Sequence, residues 1–374
     1  MFFRILKKDL KRKKTMNIIL LLFVILSAMF VAASVNNIFT VVSGLDYYFD
    51  KAGLDGNYFV ISMSREGDTS IEEALDKESF VKDYRVEEFI YANSTDVLHD
   101  GKKAFEYQNI SLVVSVDKAA IRYFDKDNNS IDKVNEGEVY VNNSILKKSK
   151  LSVGDEIEIK LYGVSVKFKI AGIAKDALLG SDFMGNPRYI INDKDYEKFK
   201  SNDEVLSKSF GKIYHINTDD ANALKEMLST KDGILFDADI SVIKMTYVMN
   251  MIVAGVLLVI SLGLILVSFT VLRFTIGFTI TEEFREIGVM KAVGIKNSAI
   301  RRLYITKYFA IAVLGAVIGF FGSIPFGNIL LKSVSENMVL GNENSIIVGL
   351  LSAVLVVFLI VWFAYSSTKR IKKM

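Results

Sequence analysis

Cysteine is absent from the 374-residue chain, and there are only two histidines. Without cysteine the protein can form neither a disulfide nor a thiolate nucleophile. His99 and His215 lie far apart in the sequence, so a transition-metal site would depend almost entirely on carboxylates. The phosphate-binding pattern G-x-x-x-x-G-K-[ST] is also missing. We therefore expect no catalytic residue, no metal site and no bound cofactor in this chain.

Charge is missing from four long apolar segments. No Asp, Glu, Lys or Arg occurs in Thr15–Leu45, Met245–Leu272, Tyr308–Leu331 or Ser345–Thr368. About 20 consecutive apolar residues span a bilayer, so the pattern predicts four transmembrane helices. A cleaved signal peptide, the alternative for the first segment, would have a shorter apolar core. Ionisable residues inside a membrane mark ion paths, and their absence from the span centres argues against a channel or a proton-coupled transporter.

The remaining charge is distributed unevenly. Val41–Lys244 holds 27 Lys and Arg against 37 Asp and Glu, a net charge of −10, whereas the rest of the chain holds 19 against 6, a net charge of +13. Basic loops stay in the cytosol, so we expect both termini to be cytoplasmic and the acidic domain to be extracellular. The abundance of Lys and Asn is typical of AT-rich bacterial genomes, which favours a bacterial cell membrane.

The acidic domain has the patterns of an α+β fold inserted between helices 1 and 2. Tyr58–Met63 is typical of a strand, and a capping box at Ser70–Glu73 predicts a helix through about Lys82. Alternating residues in Glu156–Ile173 predict an antiparallel hairpin. Lys212–Asn217 then predicts a strand that is followed by a helix.

The expected organisation divides the chain into nine parts. They are a basic amphipathic cytosolic N-terminal helix (1–17), the first transmembrane helix (18–42), the extracytoplasmic domain (43–243), the second helix with a stalk (244–281), a cytosolic segment (282–300), the third helix (303–331), a short external loop (332–344), the fourth helix (345–368) and a basic cytosolic tail (369–374). The basic N-terminal part predicts contact with membrane lipids, or it only sets the topology. No part predicts nucleic-acid binding.

The segment Thr281–Ile300 is the main charged region between apolar segments in the last third of the chain. Apolar residues recur in it every three positions with charged residues among them, which predicts a short amphipathic helix. The apolar residues are Phe284, Ile287 and Met290, and the charged ones are Glu283, Glu286 and Lys291. Gly294 stands where a helix commonly ends. The pattern alone allows this helix to lie on the bilayer surface or to dock on a cytosolic partner.

The run Arg285–Gly294, REIGVMKAVG, lies between two spans and resembles the signature of FtsX/MacB-type permeases of ABC transporters. In that family the segment is a coupling helix that seats in a groove of the ATP-binding subunit. The segment Val139–Ala174 resembles the MacB-like extracytoplasmic core domain of the same family.

This resemblance implies partners and contacts. It implies a separate cytosolic ABC ATPase that binds ATP and Mg, and a second permease unit that is either an identical copy or a sister subunit. It further implies export or mechanotransmission, in which ATP-driven movement reshapes the extracytoplasmic domain. The residues implied at the ATPase interface are Phe284, Ile287, Val289 and Met290 as apolar contacts and Glu283, Arg285, Glu286 and Lys291 as polar ones.

Three glycines of the third span, Gly315, Gly319 and Gly322, have the spacing of a close helix-packing surface. Packing inside one chain is the default use of such a surface, and self-association is the alternative.

Two alternatives remain open from the sequence. Many relatives contain two fused repeats, whereas one is visible here, so the chain is either a single-repeat permease or half of a two-repeat one. A membrane-anchored sensor or scaffold that regulates a cell-envelope enzyme, or binds peptides without transport, is the alternative function.

Overall fold

The computed structural model of the protein describes residues 14–105, 110–149, 151–183, 188–249, 252–282, 284–341 and 345–367. The predicted tail, 369–374, and most of the predicted N-terminal helix, 1–17, lie outside these residues. The chain divides into two compact units. The membrane unit contains Met1–Thr40, Met251–Lys332 and Asn342–Met374, and the sheet unit contains Val41–Asn250 and Ser333–Gly341.

Four long helices are apolar enough to cross a membrane, over Asn17–Ala52, Gly255–Phe274, Ser298–Lys332 and Ile346–Ser366. The helices that carry these windows, together with one short helix, are α1 (Lys14–Ala52), α8 (Ile252–Glu282), α9 (Phe284–Ala292), α10 (Asn297–Ser335) and α11 (Ser345–Ser367). A mixed domain separates the first from the other three. The predicted architecture of four membrane helices with an α+β insertion is confirmed.

Small and branched side chains form the core of the membrane unit. Val24 and Ala28 of α1, Ala312 of α10 and Ala364 of α11 are buried in one cluster. The rings of Phe269 and Phe363 stack with their centroids 4.4 Å apart. Small residues allow close approach, which matters in lipid because apolar burial alone does not drive helices together there.

The sheet unit is built on one sheet of eleven strands within the described residues. The strands are β1 (Tyr58–Met63), β2 (Val81–Asn93), β3 (Val97–His99), β4 (Lys102–Lys103), β5 (Ile110–Ser115), β6 (Glu138–Asn142), β7 (Glu156–Leu161), β8 (Val164–Ala174), β9 (Arg188–Ile191), β10 (Phe210–Thr218) and β11 (Ile234–Asp239). Their order is β11-β1-β10-β2-β5-β9-β6-β8-β7-β3-β4. The pairs β5–β9 and β6–β8 are parallel and the other neighbours are antiparallel.

The helices of the sheet unit that follow α1 are α2 (Glu72–Leu75), α3 (Asn143–Lys148), α4 (Asp193–Lys200), α5 (Asp203–Lys208), α6 (Ala221–Ser229) and α7 (Ile240–Val248). Five of them, α2 to α6, pack on the sheet in two separate core clusters. One core cluster joins α2 and α6 to β1 and β10, through residues such as Leu75 and Leu224. The other joins α3, α4 and α5 to the strands from β5 to β3, through residues such as Ile145 and Tyr196.

Local patterns account for the hairpin and the sixth helix. Ile157, Ile159 and Leu161 are buried on alternate positions of β7, and the two-residue turn Tyr162–Gly163 has positive φ at both positions, 45° and 88°. Positive φ at both positions gives a turn whose twist matches paired strands. The Asp220 carboxylate accepts from the N–H groups of α6. Both predictions, the hairpin and the strand followed by a helix, are confirmed.

The predicted helix from Ser70 to about Lys82 is wrong except for one turn, and the predicted capping box does not form, because Ile71 is the N-cap residue and no side chain caps the helix. Helix α2 ends at Leu75, and the chain enters β2 at Val81. Val81 pairs with Thr218 of β10, a partner 137 positions along the chain. Long-range pairing and burial of Val81 against the α2–α6 core outweigh the local helical preference.

The segment Ser333–Gly341, which follows the third span, is built into the sheet unit. Asn143 Nδ2 lies 3.2 Å from Glu336 Oε2 and 3.3 Å from Asn337 Oδ1. Lys175 Nζ lies 3.4 Å from the backbone oxygen of Met338, whose side chain is fully buried. The predicted external loop 332–344 therefore contains a fixed part of the domain fold.

Candidate functional site

Helix α9 is a short element between two membrane helices, and its end is sharply defined. Gly294 has a φ of +89°, its N–H donates to the Lys291 carbonyl at 3.0 Å, and the Ile295 N–H donates to the Met290 carbonyl at 3.0 Å. These two bonds form a Schellman motif, which needs a residue in the left-handed region and favours glycine. The predicted helix end at Gly294 is confirmed.

One face of α9 is anchored in the membrane unit. The side chain of Ile287 is 2% exposed and belongs to the same buried cluster as Leu272, Ile300 and Tyr308. Met290 is half-buried against that cluster. These two predicted interface residues therefore face the bundle. Sequence periodicity identified the apolar stripe but could not show that the bundle itself occupies it.

Four other apolar side chains of the segment are open. Phe284 and Val289 are each 59% exposed, Val293 is 76% exposed and Ile295 is 41% exposed. We call these four residues the outward surface. Val293 and Ile295 were not among the predicted interface residues, although they flank the helix-ending Gly294. Exposed apolar side chains outside the membrane spans are available for contact with a partner or with the bilayer surface.

The predicted polar interface residues are only partly described. Arg285 is exposed and Lys291 is half-buried. Glu283 and the side chain of Glu286 lie outside the described part of the chain.

The three glycines of α10 lie against α1. A Cβ atom at Gly319 would be 2.6 Å from the Ile25 backbone oxygen and 2.8 Å from Ala28 Cβ, and one at Gly315 would be 2.7 Å from Val24 Cγ1. Such distances are too short for any side chain. Gly322 faces Met29 across a wider gap. These contacts lie within one chain.

A fully buried ionic cluster joins the middle of the sheet unit. Arg188 Nη1 lies 3.2 Å from Glu87 Oε1, and Arg188 Nε lies 3.3 Å from Asp176 Oδ2. The Tyr123 hydroxyl contacts both Arg188 and Glu87. Burial alone would raise the pKa of Glu87, but Arg188, His215 and Tyr123 outweigh it and hold that pKa below its ordinary value.

This cluster was missed by the sequence reasoning. An available signal was Arg188 standing directly before the apolar run Tyr189–Ile191. Its charged groups are sealed from solvent, so it is suited to holding strands in register. The Tyr247 hydroxyl of α7 donates to the Asp176 carbonyl at 2.6 Å and ties that helix to the same place. Among the described residues, no group of three or more His, Asp or Glu could hold a metal ion.

The sequence is also similar to known proteins. Residues 240–373 match the family model described as FtsX-like permease C-terminal. Over 209 residues the chain is 27% identical to the ABC transporter permease YtrF of Bacillus subtilis, a match that covers 52% of this chain and 43% of that relative. The chain thus matches less than half the length of YtrF.

A second relative matches along most of its length. Over 340 residues the chain is 25% identical to an uncharacterized ABC transporter permease of Methanocaldococcus jannaschii, a match that covers 85% of this chain and 83% of the relative. Both relatives are named ABC transporter permeases, the class to which the FtsX-like family model also points. Residues 240–373 match an FtsX-like permease domain, and the chain as a whole is similar to ABC transporter permeases, over 52% of its length for one relative and 85% for the other.

Proposed function

We propose that this chain is the membrane subunit of an ABC transporter and that it couples a separate cytosolic ATPase to movement of the sheet unit. The observation that carries the proposal is the outward surface: Phe284, Val289, Val293 and Ile295 are exposed on a segment that is also anchored in the membrane unit. An anchored element with an exposed apolar side is suited to transmitting force from a partner.

The charge pattern supports a cytosolic location for this surface. The segment between α8 and α10 is rich in Lys and Arg, as are both chain ends, whereas the sheet-forming region has a net charge of −10. By the positive-inside rule, the outward surface faces the cytosol and the sheet unit lies outside the cell. ATP and Mg are then bound by the partner and not by this chain.

Helix α8 connects the segment that carries the outward surface to a membrane span. It contains 31 residues, which at 1.5 Å per residue is about 46 Å, and α9 begins at Phe284, two positions after α8 ends. A displacement of α9 by the ATPase would therefore move one end of a helix longer than a bilayer is thick. The proposed output is export or mechanotransmission through the sheet unit, carried out with a second permease unit and in contact with membrane lipids.

Capture of the partner from membranes tests the proposal. We expect the full chain, purified in mild detergent, to recover an ATP-binding subunit in near-stoichiometric amount. Phe284→Asp with Val289→Asp should reduce that recovery by about tenfold or more, because two charges would enter an apolar contact.

The matched control is Val153→Asp with Tyr162→Asp, which changes two exposed apolar residues of the sheet unit. This pair should leave recovery unchanged, and both pairs should insert into the membrane equally. Full recovery with the Phe284 and Val289 pair would overturn the assigned interface. Absence of any ATP-binding subunit, even after crosslinking of the unaltered chain, would overturn the proposed function.

A further inference from the structure

A basic cavity of about 560 Å³ lies in the sheet unit, between the β3–β4 hairpin and helix α3. Its charged lining contains one acid, Asp100, and five basic groups. The basic groups are His99, Lys102, Lys103, Lys147 and Lys148.

The hairpin holds its basic residues in fixed positions. Asp100 and Gly101 form its two-residue turn with φ values of 50° and 72°, the conformation that aspartate followed by glycine favours in tight hairpins. His99 pairs directly with Lys102 across the hairpin. Residues directly opposite in an antiparallel pair project from the same face, so His99 and Lys102 present their side chains together.

The His99 ring has a defined orientation. Its Nδ1 lies 2.7 Å from the Glu156 backbone oxygen, which can only accept, so Nδ1 carries a proton and Nε2 is turned away from β7. The same hydrogen bond raises the pKa of the imidazole above its ordinary value. Nε2 lies 3.8 Å from an Asp100 carboxylate oxygen.

The lysines of α3 complete the basic side. Lys147 Nζ is held by Asp182 at 3.0 Å and by Glu336 at 3.3 Å. For Lys102, Lys103 and Lys148, the described part of the chain contains no carboxylate within ion-pair distance. The lining of this cavity is therefore mainly basic, although Val41–Lys244 as a whole has a net charge of −10.

We propose that this cavity is a binding site for the phosphate group of an anionic ligand. Clustered like charges repel one another, and a bound anion would relieve that repulsion. Lysine ammonium groups act as compact point charges that bind phosphate, and four lysines line this cavity. The volume matches a small organic phosphate, since ligand pockets enclose about 300–1,000 Å³.

Two sources can supply this group: an anionic phospholipid headgroup or a free phosphate compound. Glu336, which contacts Lys147, follows Lys332 at the end of the third span by four positions of sequence. This site is independent of the ATPase contact proposed above, because none of its residues belongs to the outward surface.

Calorimetric titration of the full chain in detergent and phosphate-free buffer tests the site. The probes are inorganic phosphate and micelle-soluble dihexanoyl phosphatidylglycerol, with dihexanoyl phosphatidylcholine as the uncharged comparison. The test variant combines Lys102→Gln, Lys103→Gln and Lys148→Gln. The matched control combines Lys160→Gln, Lys169→Gln and Lys225→Gln, three exposed lysines elsewhere in the sheet unit.

We expect saturable binding of an anionic probe whose Kd rises about tenfold or more in the test variant and less than about twofold in the control. Binding of inorganic phosphate identifies a free phosphate compound as sufficient, and binding of phosphatidylglycerol alone identifies a lipid headgroup. Either result supports the site if the unfolding temperatures of the two variants are equal. No saturable binding of either probe, or equal loss in both variants, would overturn the proposal.

Discussion

Single residues in this chain carry large energetic consequences where charge or backbone is fully enclosed. Arg188 is the clearest case, because it is 0% exposed and its guanidinium faces two carboxylates that are equally buried. Transfer of such charges from water costs several kcal/mol each, and their mutual attraction offsets that cost only while all partners are present.

Removing the cation should therefore destabilise the sheet unit strongly. We expect Arg188→Met to lower the free energy of unfolding by about 3–5 kcal/mol, because Glu87 and Asp176 would stay buried without a counter-charge. Hydrogen exchange of β2 and β9 amides in the full chain measures the loss. Exposed Arg65→Met should change protection by no more than about 0.5 kcal/mol. Equal protection in the two variants would contradict the assigned role.

Close packing against α1, and not an unusual backbone conformation, requires a glycine at position 319. We expect Gly319→Val to lower the unfolding temperature of the detergent-solubilised chain, since its Cβ would meet the Ile25 carbonyl at 2.6 Å and separate α1 from α10. Gly327→Val in the same helix is the control, because nothing lies within 4 Å of a Cβ there. A larger effect at Gly327 than at Gly319 would refute packing of this surface inside one chain.

Among the elements, α9 both packs against the membrane bundle and exposes apolar side chains, and the sequence alone does not show which residues do which. Phe284, Ile287 and Met290 share one spacing, yet Ile287 is enclosed by the bundle and Phe284 is open. Periodicity shows that an apolar stripe exists, but which neighbour covers it depends on where α8 and α10 place the helix. The turn chemistry of Gly294, in contrast, was readable because the required φ is local to one residue.

This division predicts different outcomes for two truncations in α9. Ile287→Ala should reduce the stability of the membrane unit by about 2–5 kcal/mol, since it leaves a cavity in a packed cluster. Phe284→Ala should leave stability unchanged and weaken capture of the ATP-binding subunit. Thermal unfolding and pull-down, measured on the same preparations, separate these effects. A Phe284→Ala chain that unfolds early and captures fully would contradict the assignment.

Strands whose pairing depends on neighbouring residues could be predicted from the sequence, and strands that pair with distant parts of the chain could not. The hairpin of β7 and β8 could be predicted because alternation and a two-residue turn lie within one continuous stretch. The start of β2 at Val81 could not be predicted, because it depends on pairing with β10, which lies far along the chain. Likewise, the partners of Arg188 come from β2 and from the residues after β8, and no local pattern connects them.

At the scale of the whole molecule, hydropathy was sufficient for the four-helix layout because the bilayer imposes a simple length and polarity rule. The division of the chain into two units could be predicted from the sequence only in part. A domain inserted between the first two helices is expected to be continuous in sequence, yet the sheet unit also takes in Ser333–Gly341. That segment is short and polar in part, like an ordinary loop, and only its contacts show that Met338 belongs to a domain core.

The position of Ser333–Gly341 in the sequence has a consequence for biogenesis. Synthesis reaches Ser333 only after the 82 residues that follow Asn250 have been made, which at about 5–20 residues per second is a delay of roughly 4–16 s. Throughout that interval the niche that Met338 fills stays open on the nascent domain. The third span must be translated before the sheet unit can close, so completion of this domain reports that most of the membrane region has already been synthesised.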